Sequence, residues 1–267
     1  MKDLNQVFNL KDNLLISEKF GNNVQVIFTT KLGGVSTGVY TSNNLAFQVG
    51  DKPEAVLENR KKLAKQINSS LKRFVFANQN HGINIKKITE QECGKGMLDF
   101  ADGITATDCL YTYEKDLPLA CFYADCTPIY FYEPQKNLIG VIHAGWQGTS
   151  KNIVEEVLNH LQQVEKVDLQ ALKVIIGPNI KKESFEVQED VYKLFKDNSY
   201  TTQEVISKNQ DTCNIDIVKY NENALLQNGV KKANIFISTL DTVQEQDLFS
   251  FRRDKETGRM LGVIKLC

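Results

Sequence analysis

The chain reads as an α+β protein with a mixed sheet, a single domain across all 267 residues. Three observations carry that reading. Short runs rich in Val, Ile, Phe and Tyr outnumber helical stretches. Several of these runs follow one another without an intervening helix, which a strictly alternating doubly wound fold does not allow. No composition break, low-complexity segment or short-period repeat marks a boundary.

In chain order the strand-like runs are 24–30, 73–77, 83–89, 119–124, 128–132, 138–143, 173–176, 234–238 and 261–266, each bounded by turn-forming residues. Asp51-Lys52-Pro53 reads as a cap and an N-terminal proline, followed by Ala55, Val56, Leu63 and Ile67 at near-helical spacing. Thr149 or Ser150 is expected to cap a second helix with Ile153, Val157, Leu161 and Val164 on one face. Residues 190–195 and 218–226 suggest two more.

Composition excludes several classes. Apolar residues make up 42% and charged residues 24%, the balance of a soluble globular protein. Thirty-two Lys and Arg against 33 Asp and Glu leave a net charge of −1, so no basic field calls for nucleic acid or an anionic membrane. The longest apolar stretch, 138–146, is far short of a membrane span. The charged N-terminal segment does not resemble a signal peptide. The six cysteines are therefore expected to be reduced thiols in a cytoplasmic protein, and none forms a C-x-x-C pair.

The chemistry concentrates in three positions. His81 lies in Gln79-Asn80-His81-Gly82, Cys126 in Ala124-Asp125-Cys126, and His143 in His143-Ala144-Gly145-Trp146, in a chain with only three histidines. A strand-terminal histidine is often a core residue, and a buried cysteine is usually inert. All three nevertheless close apolar runs beside small or turn residues, where sites are commonly built. Two imidazoles and a thiolate match a catalytic zinc site with one open position, at which a bound water becomes nucleophilic near neutral pH. The same residues fit a Cys126 nucleophile with His143 as its base. They also match the equatorial set of a blue-copper site, although a multicopper cluster needs more imidazoles than the chain holds. His160, in a helix near its apolar stripe, reads as structural or solvent-facing.

Other polar features suit a phosphate, although a glycine-rich turn and solvated or structural ion pairs are the commoner reading of each. Lys31 precedes Gly33-Gly34 in a loop that suits an anion, and Arg60 and Arg252 add cations. Asp102 and Asp125 are candidate acid/base carboxylates, although an aspartate at a turn is more often a turn former.

These residues fall in longer signatures: Thr30-Lys31-x-Gly33-Gly34-Val35-Ser36, Glu58-Asn59-Arg60, Gln79-x-His81-Gly82, Ala101-Asp102-Gly103, Ala124-Asp125-Cys126-x-Pro128, His143-Ala144-Gly145-Trp146-x-Gly148-Thr149, Ile176-Gly177-Pro178, and Phe249-Ser250-x-Arg252-Arg253-Asp254 with Thr257-Gly258-Arg259-Met260. In this order they resemble the YfiH/YlmD family of laccase-domain, or polyphenol oxidase, proteins. The resemblance implies an α/β/β/α sandwich related to toxin deamidases with a Cys–His pair. It implies metal ligands at His81, Cys126 and His143, with zinc as the metal and copper as an alternative.

The resemblance further implies phosphorolysis of adenosine, inosine and 5′-methylthioadenosine, and deamination of adenosine. A cell-wall editing role is a separate line within the family. Catalytic roles are expected for Cys126, His143, Asp125 and Asp102, and nucleoside or phosphate contacts for Lys31, Asn44, Arg60, Gln147 and Arg252. A monomer or weak dimer is expected.

The chain departs from the family pattern at Gln147 and Lys31, where arginine is usual, at Asn179, where cysteine is frequent, and at Asp241-Thr242, where Cys-Thr is expected. Lysine cannot form the bidentate phosphate pair of an arginine.

Overall fold

Alternating side chains along the strands build two sheets that share a face. In this computed structural model, which describes residues 1–209 and 212–267, the strands in chain order are β1 (Asn9–Lys11), β2 (Leu14–Ser17), β3 (Val24–Thr29), β4 (Val75–Asn78), β5 (Ile85–Lys87), β6 (Ile104–Thr105), β7 (Cys109–Thr112) and β8 (Leu119–Tyr123). They continue with β9 (Thr127–Glu133), β10 (Leu138–Ala144), β11 (Lys173–Ile176), β12 (Glu186–Val187), β13 (Ile206–Lys208), β14 (Cys213–Ile215), β15 (Ile235–Ile237) and β16 (Met260–Leu266). The helices are α1 (Pro53–Gln66), α2 (Trp146–Ser150), α3 (Ile153–Gln163), α4 (Glu189–Lys196), α5 (Ile217–Gln227) and α6 (Phe251–Asp254).

One sheet runs β1-β2-β3-β16-β8-β4-β6 and the other β15-β11-β9-β10-β7-β5, with a small three-stranded sheet β12-β14-β13 beside them. Both large sheets are mixed: β4 is parallel to β8 and β6, and β11 is parallel to β15, among antiparallel neighbours. Val26, Phe28, Leu119, Cys121 and Tyr123 of the first sheet meet Tyr130, Tyr132, Ile139 and Val141 of the second in a common core. The intervening residues point outward, as a period of two requires.

On the first sheet's outer face Ile27, Ala120, Phe122 and Val263 pack with Leu63 and Ala64 of α1. On the second, Ile129, Phe131 and Ile142 pack with Val154, Val157, Leu158 and Leu161 of α3 and with α5. The result is the α/β/β/α sandwich.

Two tyrosine hydroxyls tie the sheets across the core. Tyr130 donates to the Ile27 carbonyl at 3.1 Å and Tyr123 to the Ile142 carbonyl at 3.0 Å. Gly262 makes the first tie possible, since a Cβ there would lie 2.6 Å from the Tyr130 hydroxyl.

Several sequence expectations need correction. Asp51 does not cap α1; its carboxylate accepts from Ser36, Asn44 and the Lys52 N–H, and Lys52 holds the cap position without a side-chain bond. Thr149 and Ser150 belong to the short α2, and α3 begins after Asn152, which has φ of 61°. Val164 lies past the end of α3 and is exposed rather than part of its apolar face. The strands β1, β2, β6, β7, β12, β13 and β14 fall outside the strand-like runs of the sequence: each is two to four residues long, too short for an alternating pattern to stand out. No helix among the described residues is long and apolar enough to cross a membrane.

Candidate metal centre

The chain brings His81, Cys126 and His143 together from three places. His81 sits in the turn after β4, Cys126 in the crossover from β8 to β9, and His143 near the end of β10. One ligand atom from each lies within 4.8 Å of the other two, and Cys126 Sγ is 3.9 Å from His81 Nε2. The two imidazole rings meet edge to face, 4.8 Å between centroids.

Backbone at two of these corners occupies the left-handed region, which costs a non-glycine residue free energy and persists only where surroundings enforce it. His81 has φ of 59° and Asp125 has φ of 91°. Asp125 is buried and doubly held: Oδ1 accepts from the Thr242 hydroxyl at 2.6 Å, and Oδ2 from the Arg252 N–H at 2.7 Å. This ties the Cys126 turn to the N-terminal end of α6. The His81 turn is held by Asp108, a fully buried carboxylate. It accepts from the N–H groups of His81 at 3.1 Å and Gly82 at 2.7 Å, and from His143 Nδ1 at 2.8 Å.

The electrostatics favour a thiolate beside an imidazolium. Burial would raise the Cys126 thiol. The positive charge of His143, with hydrogen bonds from both histidines, outweighs burial and draws the thiol down to about 6. Burial would lower His143, but the Cys126 thiolate and the bond to Asp108 lift it to about 9.

The donor set fits a zinc ion. His143 Nδ1 is engaged by Asp108, which leaves Nε2 for a ligand bond. Ligand atoms around a tetrahedral zinc lie about 3.5 Å apart, so a small contraction of the cluster suffices. Gly145 leaves the room: a Cβ there would stand 2.9 Å from His81 Cδ2 and 3.0 Å from Cys126 Sγ.

The three residues open on a cavity of about 700 Å³. Phe100, Phe122, Trp146, Phe185 and Phe251 give it aromatic walls, and Arg252, Lys255 and Arg259 line it as cations. Arg252 Nη1 donates to the carbonyls of Ser184 and Glu186, and Arg259 Nη1 to those of Thr257 and Gly258, so both guanidinium groups are fixed.

Of the other expected site residues, Asp125 and Arg252 reach the cavity and the rest do not line it. Asp102 is exposed and paired with Lys95 at 2.8 Å, away from the histidines. Arg60 is fully buried and off the cavity; its Nε and Nη1 donate to the carbonyls of Leu45, Gly96 and Met97, and its Nη2 has no partner. Asn44 is buried as well, accepting the Arg259 N–H at 2.9 Å through Oδ1. Gln147 is exposed on α2, and the backbone of Lys31 bonds Asp247 and residues 42–43. His160 bonds the Tyr111 hydroxyl at 2.8 Å, a structural role.

Sequence reasoning passed over Asp108, Lys255 and a role for Arg259. Arg259 sat within a quoted signature. Asp108, ahead of a strand too short to notice, had no local mark among 33 acidic residues.

Together the sandwich and the three-ligand cluster define an α/β/β/α protein with, among the described residues, a candidate metal centre of two histidines and a cysteine. The chain belongs to the family described as multi-copper polyphenol oxidoreductase laccase, whose model matches residues 25–267. It is 36% identical over 250 residues to purine nucleoside phosphorylase YlmD of Bacillus subtilis (strain 168), covering 91% of this chain and 89% of the relative. It is 32% identical over 255 residues to purine nucleoside phosphorylase SACOL1200 of Staphylococcus aureus (strain COL), covering 94% and 95%. Among solved structures, the YlmD protein of Geobacillus stearothermophilus superposes with a TM-score of 0.94 at 33% identity, over 99% of each chain. The YfiH protein of Bacillus licheniformis also gives 0.94, at 32% identity, over 98% of this chain and 100% of its own.

Proposed function

We propose that this chain is a zinc-dependent purine nucleoside enzyme. It phosphorolyses adenosine, inosine and 5′-methylthioadenosine to the base and a pentose-1-phosphate, and it deaminates adenosine to inosine. The observation that carries the reading is a single cavity in which the His81–Cys126–His143 cluster, aromatic walls and a cationic rim face one another. The names of the relatives point the same way.

The cavity volume lies within the range of small-molecule sites, about 300–1,000 Å³. The aromatic walls suit a planar purine, for which each stacking contact contributes about 1–3 kcal/mol. Arg252, Lys255 and Arg259 offer an anion the charge-assisted donors that Lys31, Arg60 and Gln147 do not bring to the cavity. When bound, zinc would supply Lewis acidity to a substrate in the cavity. His81, Cys126 and His143 hold it there. Asp125 is the one carboxylate among the described lining residues. Its oxygens each accept one hydrogen bond and retain a second lone pair, so proton handling during deamination falls to it.

The test is incubation of zinc-loaded protein with each nucleoside and inorganic phosphate, followed by chromatography of base and pentose-1-phosphate. No turnover of any of the three overturns the reading.

One observation favours a second reading. Cys126, His143 and Asp108 also have the order of a nucleophile, a base and an orienting carboxylate, with the thiol drawn down. This fits a metal-free amide hydrolase acting on a cell-wall precursor. Stoichiometric zinc in purified protein, or activity that survives thiol alkylation, decides against it. A copper phenol oxidase is the weakest reading, because one of the chain's three histidines, His160, is committed elsewhere.

A further inference from the structure

Asp108 touches both histidines of the cluster yet faces neither the cavity nor solvent. It stands immediately before β7, which is hydrogen-bonded to β10. Its contacts fall into two sets. Toward β10, its backbone carbonyl accepts the His143 N–H at 2.7 Å, and its Oδ1 lies 2.8 Å from His143 Nδ1. Toward the turn after β4, Oδ1 accepts the His81 N–H at 3.1 Å, while Oδ2 accepts those of Gly82 at 2.7 Å and Asn80 at 3.4 Å. Three successive N–H groups thus converge on one carboxylate, and the middle residue is the one in the left-handed conformation.

We infer that Asp108 is the positioning residue that presets both histidine ligands, fixing His143 to offer Nε2 and pinning the His81 turn. The inference rests on the zinc reading above and deepens it. Two effects follow from the same atoms. A carboxylate accepts only, so Nδ1 of His143 keeps its proton in that contact, and Nε2 is the nitrogen that gives up its proton when a metal binds. The same carboxylate collects three N–H groups of the left-handed His81 turn and so holds that turn in place. One side chain thereby links ligands supplied by different sheets.

Asp108→Asn separates this role from simple packing, because it preserves shape while replacing one oxygen with an NH2 donor. In one orientation the amide faces the Gly82 and Asn80 N–H groups; in the other it faces His143 Nδ1. Either way a donor meets a donor. The expected result is a zinc dissociation constant about 10–100-fold higher by chelator competition. The visible spectrum of the cobalt-substituted variant should be altered, with far-UV circular dichroism unchanged. Zinc affinity within twofold of wild type, with the same cobalt spectrum, overturns the inference.

If the variant does not fold, 15N NMR of histidine-labelled, zinc-loaded wild type decides. A proton on His143 Nδ1 and none on Nε2 supports the positioning role, and the opposite tautomer refutes it. Wild type that takes up neither zinc nor cobalt refutes the zinc reading, and the inference with it. Wild type that binds zinc as tightly as Asp108→Asn refutes the inference alone.

Discussion

The guanidinium of Arg60 lies against the rings of Phe47 and Phe76, 4.3 and 4.1 Å from their centroids, with three backbone carbonyls as its acceptors. An arginine in a signature segment therefore serves the fold. It joins α1 to the loops at residues 45 and 96–97 and reaches no solvent.

Arg60→Ala should accordingly lower stability, by on the order of 3–5 kcal/mol, because it opens a cavity and leaves carbonyls unpaired. Thermal unfolding measures the loss. In the protein that still folds, the phosphate KM should stay within about twofold of wild type. A large rise in phosphate KM with unchanged stability would place Arg60 at the anion after all.

Arg259 carries the opposite expectation. It lines the cavity, and its backbone is fixed on both sides, by Asn44 Oδ1 at 2.9 Å and by the Leu45 N–H at 3.2 Å. Arg259→Ala should raise the phosphate KM by about 10–100-fold, the loss of one or two charge-assisted hydrogen bonds. Steady-state kinetics with varied phosphate checks this. Asn44→Ala should shift the same parameter by a smaller factor, since Asn44 does not line the cavity and meets it through the Arg259 backbone.

Gly145→Ala places a methyl group where His81 Cδ2 and Cys126 Sγ already stand. Overpacking costs about 1–3 kcal/mol and here falls on the ligand cluster, so zinc should bind about 10-fold more weakly or worse. Competition with a chromogenic chelator measures the change. Wild-type affinity in this variant would show that the ligands close from another direction.

The thiolate–imidazolium pair predicts a pH signature in metal-free protein. Cys126, at about 6, should be alkylated by iodoacetamide at a rate that rises with pH through about 6 and is level by pH 8. Zinc should protect it. The effect on stability is different. The lowered thiol makes folding less favourable as pH falls toward 6, and the raised His143 makes it less favourable as pH rises toward 9. Between about 6.5 and 9 the folded state has lost the thiol proton and gained the imidazole proton, one for one. The pair therefore contributes no slope in that window, and denaturant midpoints of the double variant Cys126→Ser/His143→Asn and wild type should run parallel across it.

Much of this architecture was legible in the chain. The long central strands, from Val24 to Leu266, announce themselves through β-branched and aromatic runs, and α3 through its apolar stripe. The three clustered residues were visible because each closes such a run. What stayed hidden depends on distant partners. Asp108 gains meaning only when the turn at 80–82 folds over it. Arg60 looks like a surface cation until α1 turns that face inward against Phe76. Asp102 and Asp108 sit six places apart in similar turn-forming surroundings, and only the pairing of β7 with β10 selects the second.

His81 comes from the layer that contains β4, His143 from the layer that contains β10, and Cys126 from the chain that passes between them. Neither layer alone contains the site. A bound ion would act as a rivet through the sandwich, set only once the halves have docked. Metal capture would then mark the completion of folding, and its release the first parting of the layers. Stopped-flow unfolding in the presence of a metal indicator would show ion release keeping step with the exposure of Tyr123 and Tyr130, the aromatic groups that cross the same seam.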